Sequence, residues 1–327
     1  MTTMPRRPRV TVAIPLHRSA PFLDVVSANI DRIADDDVEI LVSDRTVLDD
    51  ALEVLRQRHA HDARVSFRRC TGKPGWVEHY NALLRRARGR YFMWMAHDDD
   101  FEADYVSRLG AALDMTPDAL LAFGRLRVID VEGNPVEVSY LPELPIALGR
   151  MPRADEAIAL LRHWNPGIAS RGLFRRDEIL RRRLTIRHTP GDVDADAFWA
   201  FAVSCAGPVV FEPACSVAKR LVPGSGSADW PQQRERALGQ IQVVPLVGRY
   251  LMAARVPLSR SMRIMCFVLP WAVQRALRRT SVEVRSLAPP LVRRAVGQSL
   301  DQILRRTAAE VGRSICVGES SNEGYRR

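Results

Sequence analysis

The chain has 327 residues, 46% of them hydrophobic, enough to bury one large core or a core with an appendage. No stretch approaches the ~20 apolar residues that span a bilayer, and no apolar segment follows the basic start, so neither a membrane span nor a signal peptide is expected. The net charge of +10 sits in the C-terminal quarter, where residues 245–327 hold 15 Arg against 5 acids, which argues against nucleic-acid binding by the whole chain and for an anionic surface beside the tail.

The first elements alternate. A β-branched strand, Arg9–Leu16, ends near a proline, and apolar residues at helical spacing follow in Phe22–Ile33. Strand Val38–Ser43 precedes helix Thr46–His59, and strand Arg64–Cys70 precedes helix Trp76–Ala87. Strand Tyr91–Ala96 leads into helix Ala103–Met115 and strand Ala119–Ile129. Short connections of this kind imply a mostly parallel sheet with helices on both faces. Val138–Arg153 reads as a connection, Ala154–His163, Asp177–Arg183 and Asp196–Ala206 as helices, and Val209–Phe211 as a short strand. Val222–Trp230 is the most lid-like loop, and beyond Pro231 the pattern is helical and arginine-rich. The expected organisation is a catalytic domain over residues 1–235 and a helical extension over 236–327. The five scattered cysteines show no CxxC spacing and read as reduced thiols of a cytoplasmic protein.

One stretch stands apart. Tyr91–Ala96 is a buried strand that stops in Asp98, Asp99 and Asp100. Three adjacent anions repel one another, and Mg²⁺ or Mn²⁺ would relieve that repulsion through its preferred oxygen ligands. Ligands in open α/β sheets bind beyond the carboxyl ends of the strands, where His17, Arg18, Asp44, Lys73, Asp98 and Asp99 would converge. The other reading is a solvated turn that caps the next helix. GxGxxG, P-loop and GxSxG signatures are absent, which disfavours dinucleotide, P-loop and α/β-hydrolase chemistry.

The segments Val12-Ala-Ile-Pro15, Val42-Ser-Asp-Arg-Thr46, Gly75–Asn81, Gly89–Asp99, Gly172-Leu-Phe-Arg175, Asp196-Ala-Phe-Trp199, Phe211-Glu-Pro213 and Lys219-Arg220 come in an order and spacing that resembles the family 2 glycosyltransferases, with their nucleotide-diphospho-sugar transferase (GT-A) fold. The match covers about residues 8 to 230. It implies sugar transfer from a nucleotide-diphospho-sugar donor to the hydroxyl of a glycan, a lipid-linked molecule or a small molecule, with inversion and a Mn²⁺ or Mg²⁺ cofactor. By the same resemblance, Pro15 lies in the loop around the base and Asp44 reads the nucleobase, although Asp44 also suits a helix N-cap. Asp98 is the ribose-side acid and a candidate metal ligand, and Asp99 is the direct metal ligand. Lys73 and either Arg220 or Lys219 face the diphosphate. Asp196 takes the place of the catalytic base, with Asp194 as rival because Ala195 replaces the usual Glu. Trp199 is a candidate sugar-stacking surface at the acceptor, or core.

The rival activities are nucleotidyl transfer on a similar fold and non-catalytic binding of nucleotide or an anionic surface. Ser261–Arg279 joins an apolar surface to a basic end. It suits the inner face of an anionic membrane, packing on the catalytic domain, or a second subunit.

Overall fold

The computed structural model describes residues 7–45, 49–70, 72, 74–137, 153–162, 166–192, 194–222 and 233–287. Lys73, most of the 222–230 loop, the 138–152 connection and the tail beyond 287 lie outside these residues.

Strands β1 (Val10–Leu16), β2 (Val38–Asp44), β3 (Val65–Arg69) and β4 (Tyr91–Trp94) alternate with helices α1 (Leu23–Arg32), α2 (Ala51–Arg58) and α3 (Trp76–Arg86). After them come β5 (Asp100–Phe101), α4 (Tyr105–Met115), β6 (Leu121–Ile129), α5 (Arg153–Arg162), α6 (Pro166–Ala169), β7 (Leu173–Arg175), α7 (Arg176–Arg181), α8 (Ala195–Ala206), β8 (Val209–Arg220), α9 (Gln233–Ala253) and α10 (Leu258–Leu287). Among the described residues the strands form one eight-stranded sheet in the order β3-β2-β1-β4-β7-β6-β8-β5. β1 to β4 pair in parallel, as does β6 with β8, while β7 and β5 run antiparallel to their neighbours.

The pleat explains the layering. On β4, Tyr91 and Met93 join the core beneath α1, α2 and α4, whereas Phe92 and Trp94 join the core beneath α3, α5, α8, α9 and α10. The expected helical extension therefore shares a core with the sheet, through Val247, Tyr250, Ile264 and Val268. α8 is buried almost all round, as its run of Ala, Phe and Trp dictates. Trp199 within it is fully buried, with ring centroids 4.9 Å from Trp94 and 4.5 Å from Phe174. No ring face is left for a sugar, so the acceptor-stacking role expected of Trp199 is corrected to core packing.

Two strands differ from expectation. β8 runs to Arg220 instead of ending at Phe211, because a bulge absorbs Pro213: Phe123 pairs with Phe211, and the next pair is Arg125 with Ser216. Two-residue β5 carries no sequence signature, and it pairs Asp100 with Ala218. Pro15 lies inside β1, opposite Ser43, and not in a loop. The carbonyls of Arg9 and Ala13 both accept from the β4 side, so the ring nitrogen of Pro15 falls on that same side, where it has no N–H for the next rung, and the β1–β4 ladder ends there.

α3 is fixed to β2 by His79, whose Nε2 lies 3.0 Å from Ser43 Oγ. Burial, then the charges of Arg45 and His17, pushes the His79 imidazole down to about 4 from 6.5.

Two expectations follow. Trp199→Ala should lower unfolding stability by about 3–5 kcal/mol in a denaturant titration. His79 is neutral in the fold and takes up a proton on unfolding below its ordinary value. Its stabilising contribution is thus complete above pH ~6.5 and disappears as pH falls toward 4. Midpoints measured from pH 8 to 4 should converge between wild type and His79→Gln as the pH falls through that window.

Candidate active site

The loop after β4 sorts the three carboxylates by backbone geometry. Asp100 enters β5 and turns outward to an ion pair with Arg32. Asp99 turns inward, and Asp98 is left half-buried between them at the carboxyl edge of the sheet.

Asp99 is held on all sides. Its Oδ2 accepts from Arg171 Nε at 2.7 Å, and its Oδ1 accepts from the backbone N–H of Arg220 at 3.2 Å. Its carbonyl accepts from the side-chain amide of Asn29 at 2.9 Å, and Asn29 Oδ1 in turn accepts from the Phe101 N–H at 3.1 Å. Asp99 is 2% exposed and Arg171 19%, so both charges are largely out of water and compensate each other. With both oxygens engaged, Asp99 is a positioning carboxylate, which corrects the expectation of a direct metal ligand.

Asp98 differs. It forms no ion pair among the described residues, and burial followed by the charge of Asp99 pushes its carboxyl up. A carboxylate whose ionised form is disfavoured by a neighbouring anion gains from a cation, and its oxygens suit Mg²⁺ or Mn²⁺. No cluster of three or more His, Cys, Asp or Glu arranged for a metal occurs among the described residues. That still fits Mg²⁺, which is commonly held by one or two carboxylates plus substrate phosphates.

Asp196, in the first turn of α8, completes the acidic group. Its Oδ2 accepts from Ser170 Oγ at 3.1 Å. The fields of Asp196, Asp98 and Asp99 all reach Tyr80, Arg171 and Lys219. Burial, then the two carboxylates Asp196 and Asp98, pushes the Tyr80 phenol up. The Lys219 ammonium is pushed down by burial and then by Arg171. Asp194 sits at the N-cap of α8 in the left-handed region (φ 57°), and its backbone carbonyl accepts from the Phe198 N–H at 3.0 Å.

Lys219 and Arg220 were alternatives for the diphosphate, and the strand separates them. Consecutive residues on β8 face opposite sides. Arg220 turns its guanidinium onto backbone carbonyls: Nε to Asp98 at 3.2 Å, and one terminal nitrogen to Asp130 at 3.1 Å and Val131 at 3.0 Å. It clamps the strand end, which corrects its assignment to the nucleotide. Lys219 is the residue that shares the acidic cleft.

Asp44 ends β2, 2% exposed, level with Leu16 and Arg69. The N-cap of α2 is Asp50, so Asp44 does not cap that helix. Around it stand Arg45, whose terminal nitrogen donates to Pro74 O at 3.2 Å, and His17, pushed down to about 4 by burial and then by Arg45.

Sequence reasoning missed Arg171, Ser170 and Tyr80. The one available signal was the glycine after Arg171. A Cβ at Gly172 would lie 2.3 Å from Ala122 O, so glycine is required where this segment crosses β6, and Arg171 is carried to Asp99 with it.

A model of the glycosyl transferase family 2 matches residues 11–179, just over half of the chain. Among solved structures, residues 1–349 of S. aureus TarS in complex with UDP-GlcNAc superpose with a TM-score of 0.58 at 12% identity, covering 94% of this chain and 92% of that one. The mannosyltransferase PcManGT from Pyrobaculum calidifontis, in complex with GDP-Man and Mn²⁺, superposes with a TM-score of 0.55 at 18% identity, covering 99% and 89%. At such identities the likeness speaks for the fold alone. No curated protein sequence matches. With its GT-A-like sheet and the family's sequence pattern along more than half of its length, the chain belongs to glycosyl transferase family 2 and is a glycosyltransferase.

Proposed function

We propose that the chain moves a sugar from a nucleotide-diphospho-sugar to an acceptor hydroxyl by a single, inverting displacement that depends on a divalent cation. The observation that carries this reading is the convergence of Asp98, Asp196, Arg171 and Lys219 on one sheet edge. Asp44, with Arg45 and His17, forms the base end of the donor site. Asp98 is the residue that would hold the cation. A solved mannosyltransferase neighbour is in complex with GDP-Man and Mn²⁺, which supports a cation beside the donor. When bound, the cation would neutralise charge that grows on the diphosphate as the sugar departs.

The residues divide the reaction between them. A sugar hydroxyl has a pKa far above neutrality, so its proton must leave as it attacks. Asp196 takes that proton. Ser170 donates to its Oδ2 and fixes the carboxylate, so that Oδ1 is the oxygen available for the proton. The acceptor oxygen bonds to the anomeric carbon as the bond from that carbon to the diphosphate oxygen breaks. The electron pair goes to the diphosphate, where Lys219 and Arg171 stabilise it. Asp194, at the helix N-cap, stays out of the proton transfer.

The acceptor side faces an anionic membrane. No helix among the described residues is long and apolar enough to cross one. Residues 236–282 contain eight Arg and no Asp or Glu. On α10, Ile264, Val268 and Ala272 are buried, while Leu258, Met262, Leu269 and Val273 line the opposite side at 75%, 59%, 53% and 43% exposure. An exposed apolar stripe with basic flanks suits a lipid surface. Arg263 is already paired with Asp155 of α5, and residues 258–282 themselves bring no acid to meet the arginines of a second copy.

Thermal shift with UDP and GDP should show stabilisation that requires Mn²⁺ or Mg²⁺; stabilisation unchanged by chelator would remove the cation from the proposal. Asp98→Asn should abolish cation-dependent nucleotide binding with the unfolding midpoint equal or higher. Asp99→Asn should lower stability by about 3–5 kcal/mol, since it leaves Arg171 buried without its counter-charge. Full-length protein should co-sediment with phosphatidylglycerol vesicles in a salt-sensitive way, and not with phosphatidylcholine vesicles. Replacing Leu258, Met262 and Leu269 by serine should abolish that binding, and a stable dimer in ultracentrifugation that the same changes dissociate would assign the stripe to a second copy.

A further inference from the structure

A second cleft, of about 390 Å³, opens between α3, residues 186–188 and α9. Three arginines line it: Arg85, Arg187 and Arg249. Its acid, Glu78, is already matched, because His188 Nε2 lies 2.8 Å from Glu78 Oε1 while His188 Nδ1 lies 2.8 Å from Asp192 Oδ1. The two carboxylates raise the His188 pKa and favour its charged form. None of the three guanidiniums has a carboxylate partner among the described residues, and the buried Arg187 Nε has no hydrogen-bond acceptor. A buried donor without an acceptor, as at Arg187, is costly, and the exposed Arg85 and Arg249 add like charge at the same cleft.

The wall that carries Arg187 is rigid. Asn81 donates to Ile186 O at 2.8 Å and accepts from Ile186 N–H at 3.0 Å. The Tyr250 hydroxyl accepts from Arg187 N–H at 2.9 Å and donates to Thr185 O at 3.0 Å. The Arg187 guanidinium lies over the Tyr250 ring, 5.1 Å from its centroid. The cavity is therefore built in advance for a ligand with negative oxygens, which a planar guanidinium fork binds in pairs. Helix α3 connects it to the transfer site. α3 carries both Arg85, in the cleft, and Tyr80, beside Asp196, and the segment from Arg187 runs directly into α8.

We infer that this cleft binds an oxyanion group, phosphate or carboxylate, carried by the acceptor. That the ligand belongs to the acceptor rests on the proposed sugar transfer; that the cleft binds an oxyanion does not. The test titrates the full chain with inorganic phosphate and, separately, with acetate, at ionic strength fixed with chloride, by calorimetry. The variants are Arg187→Met, Arg249→Gln at an exposed position, and Lys219→Met as a control for anions taken up at the transfer site. Saturable binding should weaken about tenfold in each cleft variant and stay unchanged in Lys219→Met. Cation-dependent UDP or GDP binding should be the same in Arg249→Gln as in wild type. The arm that saturates at lower concentration names the group. Binding insensitive to Arg187→Met and Arg249→Gln, lost only in Lys219→Met, or absent for both anions overturns the inference. Failure of the nucleotide arm alone overturns the transfer reading and leaves the cleft assignment intact.

Discussion

The Arg171–Asp99 pair organises the catalytic edge. Taking a carboxylate and a guanidinium out of water is costly, and the cost is met only when both find each other and their remaining hydrogen bonds. Asp99 does so from two directions, Arg171 on one side and the last N–H of β8 on the other. This fixes where its neighbours go: Asp98 into the cleft, Asp100 outward to Arg32. Around the cleft three carboxylates, Asp98, Asp99 and Asp196, then stand against two cations, Arg171 and Lys219. Of these three carboxylates only Asp99 has an ion-pair partner among the described residues, so Asp98 and Asp196 leave a residual negative charge at this edge.

Much of this was legible in the sequence, because it depends on local pattern. Periodicity located β1 to β4 and α1 to α4 to within a few residues, and the parallel arrangement placed Asp44 and Asp98 on a common edge. The family pattern pointed to Asp196, and the structure sets it in the first turn of α8 beside Ser170. What could not be read depends on contacts distant along the chain. Arg171 and Asp99 are 72 residues apart and meet only when β7 is laid beside β4. Whether Lys219 or Arg220 faces the ligand turns on the phase of β8, which continues past Pro213 only because of the bulge opposite Gly124. Trp199 looks the same in sequence whether it stacks on a sugar or on Phe174; α8 being buried on every side decides it.

α3 links the two clefts. One of its faces holds Tyr80 against the acids of the transfer site, and another holds Arg85 and Glu78 beside Arg187 and Arg249. The helix is pinned through His79 to Ser43 and through Asn81 to Ile186, so its position is set by β2 and by the segment leading into α8. A displacement of α3 would therefore be felt at both clefts together.

The rims of the sheet bear on how the protein behaves at high concentration. One rim is β5, two residues long and beginning with a charged aspartate; the other is β3, whose last two residues, Arg68 and Arg69, are exposed. β5 covers only Val217 and Ala218, so the rest of the twelve-residue β8 reaches that rim, where the bulge at Pro213 breaks its regular row of amides. A bulged strand at one rim and arginines at the other discourage the side-by-side stacking of sheets that templates fibres.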